Sequence, residues 1–236
     1  MCKVVKRGHF PSDEKEFTGK HLDKLYKAGQ DLYYLLNQGY NIKGASIFVG
    51  NHYLLSERQR LALTRAISSE KNIKSRKDKE VRDNLGNSTV NIDGFNTIIT
   101  LEVALSNSLL IKCMDGTIRD LAGLRGTYRI IDKTELSIMQ IGETLEKHKI
   151  KKANFFLDAP VSNSGNLKKK IEELLKNFVF EVEVLNINNV DATLETLDNV
   201  ISSDAIILDK CKSWINLNRE ILDNKIENNF YIDFNL

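Results

Sequence analysis

The chain has no apolar run approaching the roughly 18 to 20 residues of a membrane span, and its Met1-Cys2-Lys3 start carries no apolar signal region. These two absences make a cytoplasmic protein the expectation. Cysteine is scarce. Cys2, Cys113 and Cys211 are odd in number and widely separated, which argues against both a disulfide framework and a thiolate metal site and fits a reduced compartment. There is no internal repeat and no low-complexity tract. Net charge is small at +2, yet residues 1 to 86 carry 17 Lys/Arg against 10 Asp/Glu while the remainder carries 17 against 22. A basic front and an acidic back suggest a part that attracts a polyanion and a part that holds cations. Over 236 residues, a hydrophobic content of 42% supplies a core for one large domain or two smaller ones.

The front third reads as helical. Leu22, Leu25, Tyr26, Leu32, Tyr33, Leu35 and Leu36 recur at spacings of three and four, closed by Asn37-Gln38-Gly39-Tyr40, so the pattern predicts one long helix with a possible break near Gly29. Residues 45–50 are too short a run to separate strand from helix. Ser56-Glu57-Arg58-Gln59 has the form of a capping box and opens a helix that brings Arg58, Arg60 and Arg65 near one face. The charged stretch 70–87 marks a boundary, either a tether or an exposed helix. It divides the chain into a mainly helical basic domain, 1–86, and an α/β domain, 87–236.

Behind the boundary, strand and helix patterns alternate, the signature of a mostly parallel sheet covered by helices. Thr89-Val90-Asn91-Ile92-Asp93 reads as a strand, Gly94 as a tight exit, and Thr97, Ile98, Leu101, Ala104 and Leu105 as a helix. Residues 109–114, 153–157 and 178–187 are further strand candidates, 134–148 and 166–176 are amphipathic, and 230–234 predicts a closing strand. Three of the runs end in an aspartate followed by Gly or Ala, at Asp93, Asp115 and Asp158, and Val200-Ile201-Ser202-Ser203 ends at Asp204, with Ser203 or Asp204 as a helix cap. Ligands collect beyond the carboxyl ends of parallel strands. Carboxylates massed there repel one another unless a cation is bound, and hard oxygen donors without Cys/His sets favour Mg²⁺ or Mn²⁺. Such a site suits phosphodiester hydrolysis.

Around this set other residues have two readings each. Asp115 is a ligand or the end of a loop, Asp191 a ligand or a helix start, and Asp209 a supporting carboxylate or a solvent-facing one. Glu102 either points back toward Asp93 or is salt-bridged to Arg119 or Arg125. Asn96 orients a ligand or caps its helix. Ser162, Asn163 and Ser164, at a helix start, either hold phosphate or, through Ser162 or Ser164, cap the helix. Tyr33, Tyr34, Tyr40 and Tyr53 either stack bases or pack.

Ile92-Asp93-Gly94-Phe95-Asn96, Phe156-Leu157-Asp158-Ala159 and Ser202-Ser203-Asp204 resemble the acidic signatures of the PIN-like superfamily, particularly its NYN branch, over roughly residues 88 to 215. The resemblance implies a three-layer α/β/α fold and a divalent-metal ribonuclease, with Asp93, Asp158 and Asp204 as its acidic positions. The whole chain, from Ala28-Gly29-Gln30-Asp31-Leu32 to Asp158-Ala159-Pro160-Val161-Ser162-Asn163-Ser164-Gly165, also resembles a prokaryotic family of unknown function. The element Asp115-Gly116-Thr117-Ile118-Arg119-Asp120 and the Pro-Val-Ser-Asn-Ser-Gly segment depart from the PIN-like pattern. Met114-Asp115-Gly116-Thr117 resembles the Asp-x-Asp-Gly-Thr loop of haloacid-dehalogenase-like phosphatases, but Cys113 stands where the nucleophilic aspartate belongs. The expected function is thus RNA hydrolysis with Mg²⁺ or Mn²⁺. The alternative is a catalytically degenerate PIN-like module that binds RNA or a protein.

Overall fold

The computed structural model of the chain describes residues 5–124, 126–226 and 230–235. The front consists of α1 (Asp13–Glu16), α2 (Gly19–Asn37), α3 (Ile42–His52), α4 (Glu57–Ala66) and α5 (Glu70–Lys79). The stripe Leu25, Ala28 and Leu32 is buried along α2, which passes Gly29 without a break and ends before Gly39, a residue in the left-handed region at φ +86. Residues 45–50 lie inside α3, where the Asn41 side chain caps the Lys43 N–H at 2.9 Å. The capping box forms as expected: Ser56 Oγ accepts from the Gln59 N–H and Gln59 Oε1 accepts from the Ser56 N–H, both at 3.2 Å. The arginines of α4 are turned inward. Arg58 pairs with Asp13 and Arg60 donates to the Gly50 carbonyl at 2.7 Å.

Of the charged stretch 70–87, the first half is helix and not tether. Arg76 is only 2% exposed, and the Trp214 indole donates to its carbonyl at 2.7 Å. Charge density along a sequence cannot reveal such a partner, which lies more than a hundred residues away.

The back is mixed α/β. Its main sheet has the order β5-β4-β1-β6, wholly parallel, with β1 Thr89–Asp93, β4 Lys152–Asp158, β5 Glu181–Ile187 and β6 Val200–Ile201. Side chains alternate across it. Val90, Ile92, Phe155, Leu157 and Ile201 face a core shared with α6 (Gly94–Leu105), α7 (Thr134–Lys147), α8 (Ser164–Leu175) and α11 (Leu217–Lys225). Phe156 and Val200 face the opposite side, against α9 (Val190–Leu194), α10 (Ala205–Lys210) and Trp214. Helices therefore cover both faces. Gly94 begins α6 hard against β4. A Cβ there would stand 2.6 Å from Leu157 Cδ2 and 3.0 Å from the Phe156 carbonyl oxygen, so the tight exit requires glycine.

Two expected strands go elsewhere. Residues 109–114 yield β2 (Leu110–Lys112), which pairs antiparallel with β3 (Ile118–Asp120) and parallel with β7 (Tyr231–Asp233) in a second sheet of order β3-β2-β7. Leu109, Ile111, Cys113, Leu121, Ile232 and Phe234 from this sheet pack into one core with Phe17, Leu25, Leu32, Val49 and Leu63. The front helices are completed by the later chain. Among the described residues no helix is long and apolar enough to cross a membrane.

Candidate functional site

The parallel register sets Asp93 opposite Phe156, with Asp158 two residues further along β4 and opposite Ile187. Beyond Ile187 the chain turns through Asn189, left-handed at φ 61, into α9, whose first turn carries Asp191. Beyond Ile201 come Ser202, Ser203 and Asp204. The strands run in one direction, so these acidic positions gather at one edge. There Asp93, Asp158, Asp191 and Asp204 line a cleft of about 1060 Å³. The opposite wall comes from the front: Tyr40 between α2 and α3, Ile42 and Lys43 in the first turn of α3, Arg65 on α4, and Asn72 and Arg76 on α5.

Asp93 is held from both sides. One carboxylate oxygen accepts from the Asn96 N–H at 3.3 Å, capping α6, and the other from the Ser202 hydroxyl at 2.8 Å. Burial raises its pKa to about 7. Those two hydrogen bonds only partly oppose the rise, and the charges of Asp204 and Asp191 add to it. Burial also raises Asp158, against a backbone N–H from Val190, and raises Asp191, where Asp204 and Asp158 add to the effect. Asp204 caps α10 through one oxygen, 2.7 Å from the Ile206 nitrogen. Asn96 Oδ1 accepts from the Ser203 N–H and hydroxyl, both at 2.9 Å, and so ties the Asp204 turn to the start of α6. Among the described residues no three His, Cys, Asp or Glu side chains group closely enough to chelate one ion together.

Asp115 is not brought into this set. Because β2 lies in the second sheet, Asp115 sits in the β2–β3 turn, buried, with one oxygen accepting from Arg76 and Arg119, each at 2.6 Å, and the other from Thr117. Burial alone would raise its pKa, but the two guanidiniums and Thr117 hold it at about 2. It is an internal counterion. Arg119 donates through Nε to the Ser203 carbonyl at 2.5 Å and lines the cleft, and burial opposes but Asp115 sustains its raised pKa. Asp209, also on the wall, pairs with Arg76 at 2.7 Å and accepts from Asn72.

Glu102 does not point toward Asp93. It is fully buried, paired with Arg7 at 2.8 Å, and accepts from the Tyr128 hydroxyl at 2.6 Å and from Thr134. Arg119 has its own acid, and Arg125 lies outside the described residues. Ser162 and Asn163 stay away from the cleft lining and cap nothing through their side chains. Asn163 is left-handed at φ 69 and donates to the Tyr128 carbonyl, while the Ser162 backbone bridges Thr127, so the pair anchors the 126–128 loop. Cys113 is buried and its thiol is pushed up by burial to about 11, which rules against a nucleophile in the phosphatase-like loop.

Sequence reasoning misses three residues of the site: Ser202, which holds Asp93 from behind the lining, and Arg76 and Lys43, which line the cleft. Ser202 sits in the quoted Ser-Ser-Asp motif, and hydroxyls next to a ligand candidate were a usable signal. Arg76 and Lys43 carried none, because their place in the cleft depends on how the front helices dock.

Residues 82–220 match the family model described as a domain of unknown function, DUF5616, and residues 24–79 match that of a protein of unknown function, DUF434. The chain belongs to the DUF5616 family. An uncharacterized protein of Methanocaldococcus jannaschii, MJ0935, is 40% identical over 186 residues, which are 78% of this chain and 88% of its own length. No solved structure matches. These findings agree with the resemblance to a family of unknown function. In this DUF5616 chain the family segment carries the cleft's aspartates, and the DUF434-matching segment supplies the facing wall.

Proposed function

We propose that the chain is a divalent-metal-dependent phosphodiester hydrolase of RNA, built on a PIN-like α/β/α plan. One observation carries this reading: four aspartates from separate elements line one cleft, and Asp93, Asp158 and Asp191 all have raised pKa values, through burial in all three and through neighbouring carboxylates at Asp93 and Asp191. A protein retains so unfavourable a cluster when a ligand repays it. Among the described residues the cleft is lined by no Cys or His, and its polar lining is oxygen and amide donors beside its cations, which suits a hard ion. Mg²⁺ commonly binds through one or two carboxylates and keeps several waters, so two of these aspartates would suffice to hold it.

Asp93 and Asp204 would hold the ion, with Asp158 and Asp191 reaching it directly or through water. When bound, the ion supplies activation of water and stabilisation of the phosphoryl oxygens. Ser202 and the Asn96 N–H fix the Asp93 carboxylate, and Asn96 fixes the turn before Asp204. Asp191 has no hydrogen-bond donor among the described residues and is the group free to take the proton of the attacking water.

Cleavage of RNA is expected with Mg²⁺ or Mn²⁺ and to fall more than about 100-fold in Asp93→Asn. Intact RNA with either ion above neutral pH, or a variant as active as the native chain, would sink the reading. The lack of a tight chelating group among the described residues favours one alternative, a PIN-like module that binds RNA without cutting it. Salt-sensitive binding of uncleaved RNA is its signature.

A further inference from the structure

The acidic edge cannot by itself hold a polyanion, so the facing wall must do it. The arginines lining the cleft are engaged internally: Arg76 of that wall and Arg119 of β3 with Asp115, and Arg65 with Asp120. Lys43 is different. It is exposed, lines the cleft, and has no carboxylate partner among the described residues. Beside it Tyr40 is 61% exposed and Ile42 38% exposed, and across the cleft Ile206, two residues past Asp204, is 59% exposed. Apolar faces left open to water on both walls of a charged cleft are suited to the flat faces of bases.

We infer that Tyr40, Ile42 and Lys43 form the nucleotide-gripping wall of the cleft, with a base lying on the Tyr40 ring and a phosphate at the Lys43 ammonium. A duplex hides its base faces within the stack, so the wall selects an unpaired strand. The inference rests on the proposed RNA-hydrolase reading for its polyanion, but it places recognition in the DUF434-matching segment, apart from the aspartates.

The test uses the full chain carrying Asp93→Asn, in magnesium, and a fluorescent oligouridylate of about ten nucleotides, within the usual reach of single-strand sites. Anisotropy is expected to show binding to the single strand and weaker binding to the same length of duplex. Adding Tyr40→Ala should lower affinity about 10-fold, equivalent to ~1.4 kcal/mol, whereas Tyr40→Phe should restore it. Adding Lys43→Ala should reduce the slope of log affinity against log salt by about 0.7, the value for one single-strand phosphate. Circular dichroism confirms that each variant is folded. Unchanged affinity and slope in the two alanine variants, equal binding of duplex, or no binding at all would overturn the inference. Cleavage by the native chain with these variants still binding normally sinks the wall and spares the hydrolase. Absence of cleavage with the binding differences intact does the reverse.

Discussion

Asp93 and Asp115 are both buried, yet their environments move them in opposite directions, to about 7 and about 2. Asp115 meets two guanidiniums. Asp93 meets hydrogen-bond donors and other carboxylates. In the unfolded chain each titrates near 3.8. Between that value and about 7, the folded chain keeps a proton on Asp93 that the unfolded chain has released, so the Asp93 contribution to stability falls as pH rises through this window and is level on either side. In metal-free buffer, Asp93→Asn is therefore expected to be more stable than the native chain by on the order of 2 to 4 kcal/mol at about pH 8, and equally stable below about pH 4. Denaturant unfolding at the two pH values measures this, and equal stability at the higher pH would mean that Asp93 is better solvated than its burial indicates. Asn keeps the capping role, so loss of the helix cap does not confuse the comparison. Gly94 adds a steric constraint at the same place: Gly94→Ala would drive a methyl toward the Phe156 carbonyl, and is expected to destabilise by about 1 to 3 kcal/mol in thermal unfolding.

At the scale of elements, α10 is held at both ends. Asp204 caps its start, the turn before it is gripped by Arg119 and Asn96, and Asp209 in its last turn pairs with Arg76. Arg76 and Arg119 meet on one oxygen of Asp115, so a residue of the β2–β3 turn fixes the helix that presents Asp204. Removing that charge leaves two buried guanidiniums without it. Asp115→Asn is expected to destabilise by about 3 to 5 kcal/mol, read from urea unfolding. The sign with pH is opposite to that of Asp93: the Asp115 contribution is complete above about pH 4 and is lost as pH falls toward about 2. Native and variant curves should converge in that acid limb, and persistence of the full difference there would contradict the ion-pair account.

At the scale of the molecule, the front helices and the second sheet bury their apolar faces in each other. Ile111, Leu121, Ile232 and Phe234 pack in the same core as Leu25, Leu32 and Leu63, each buried side chain contributing about 1.5 to 3 kcal/mol. A fragment beginning at residue 82, the start of the DUF5616 match, would expose that face of the sheet. Such a fragment is expected to aggregate or unfold, and the full chain to melt in a single transition. Trp214, the sole tryptophan, packs in the back and donates to the Arg76 carbonyl of α5, so it reports the seam between front and back, while far-ultraviolet circular dichroism is weighted by helices from both. Coincident midpoints by the two probes are the expected result. Separate midpoints would show that front and back unfold independently.

Local pattern alone determined much of this protein. The stripe of α2, the capping box at Ser56, the strand ending in Asp93 and Gly94, and the helix opening at Asp204 were all legible because each depends on neighbours within a few positions. A parallel sheet then sends its strand-end aspartates to one edge, which is why Asp93, Asp158 and Asp204 could be grouped in advance, with Asp191 only as a supporting candidate and with Asp115 wrongly among them. Only the tertiary structure decided that Asp115 neutralises Arg76 and Arg119, that Glu102 meets Arg7, and that residues 109–114 and 230–234 form a second sheet beneath the front helices. Strand runs look alike whichever sheet they enter, and a carboxylate carries no mark of its partner. Those choices are made by docking, where long-range burial and charge pairing act between segments a hundred or more residues apart.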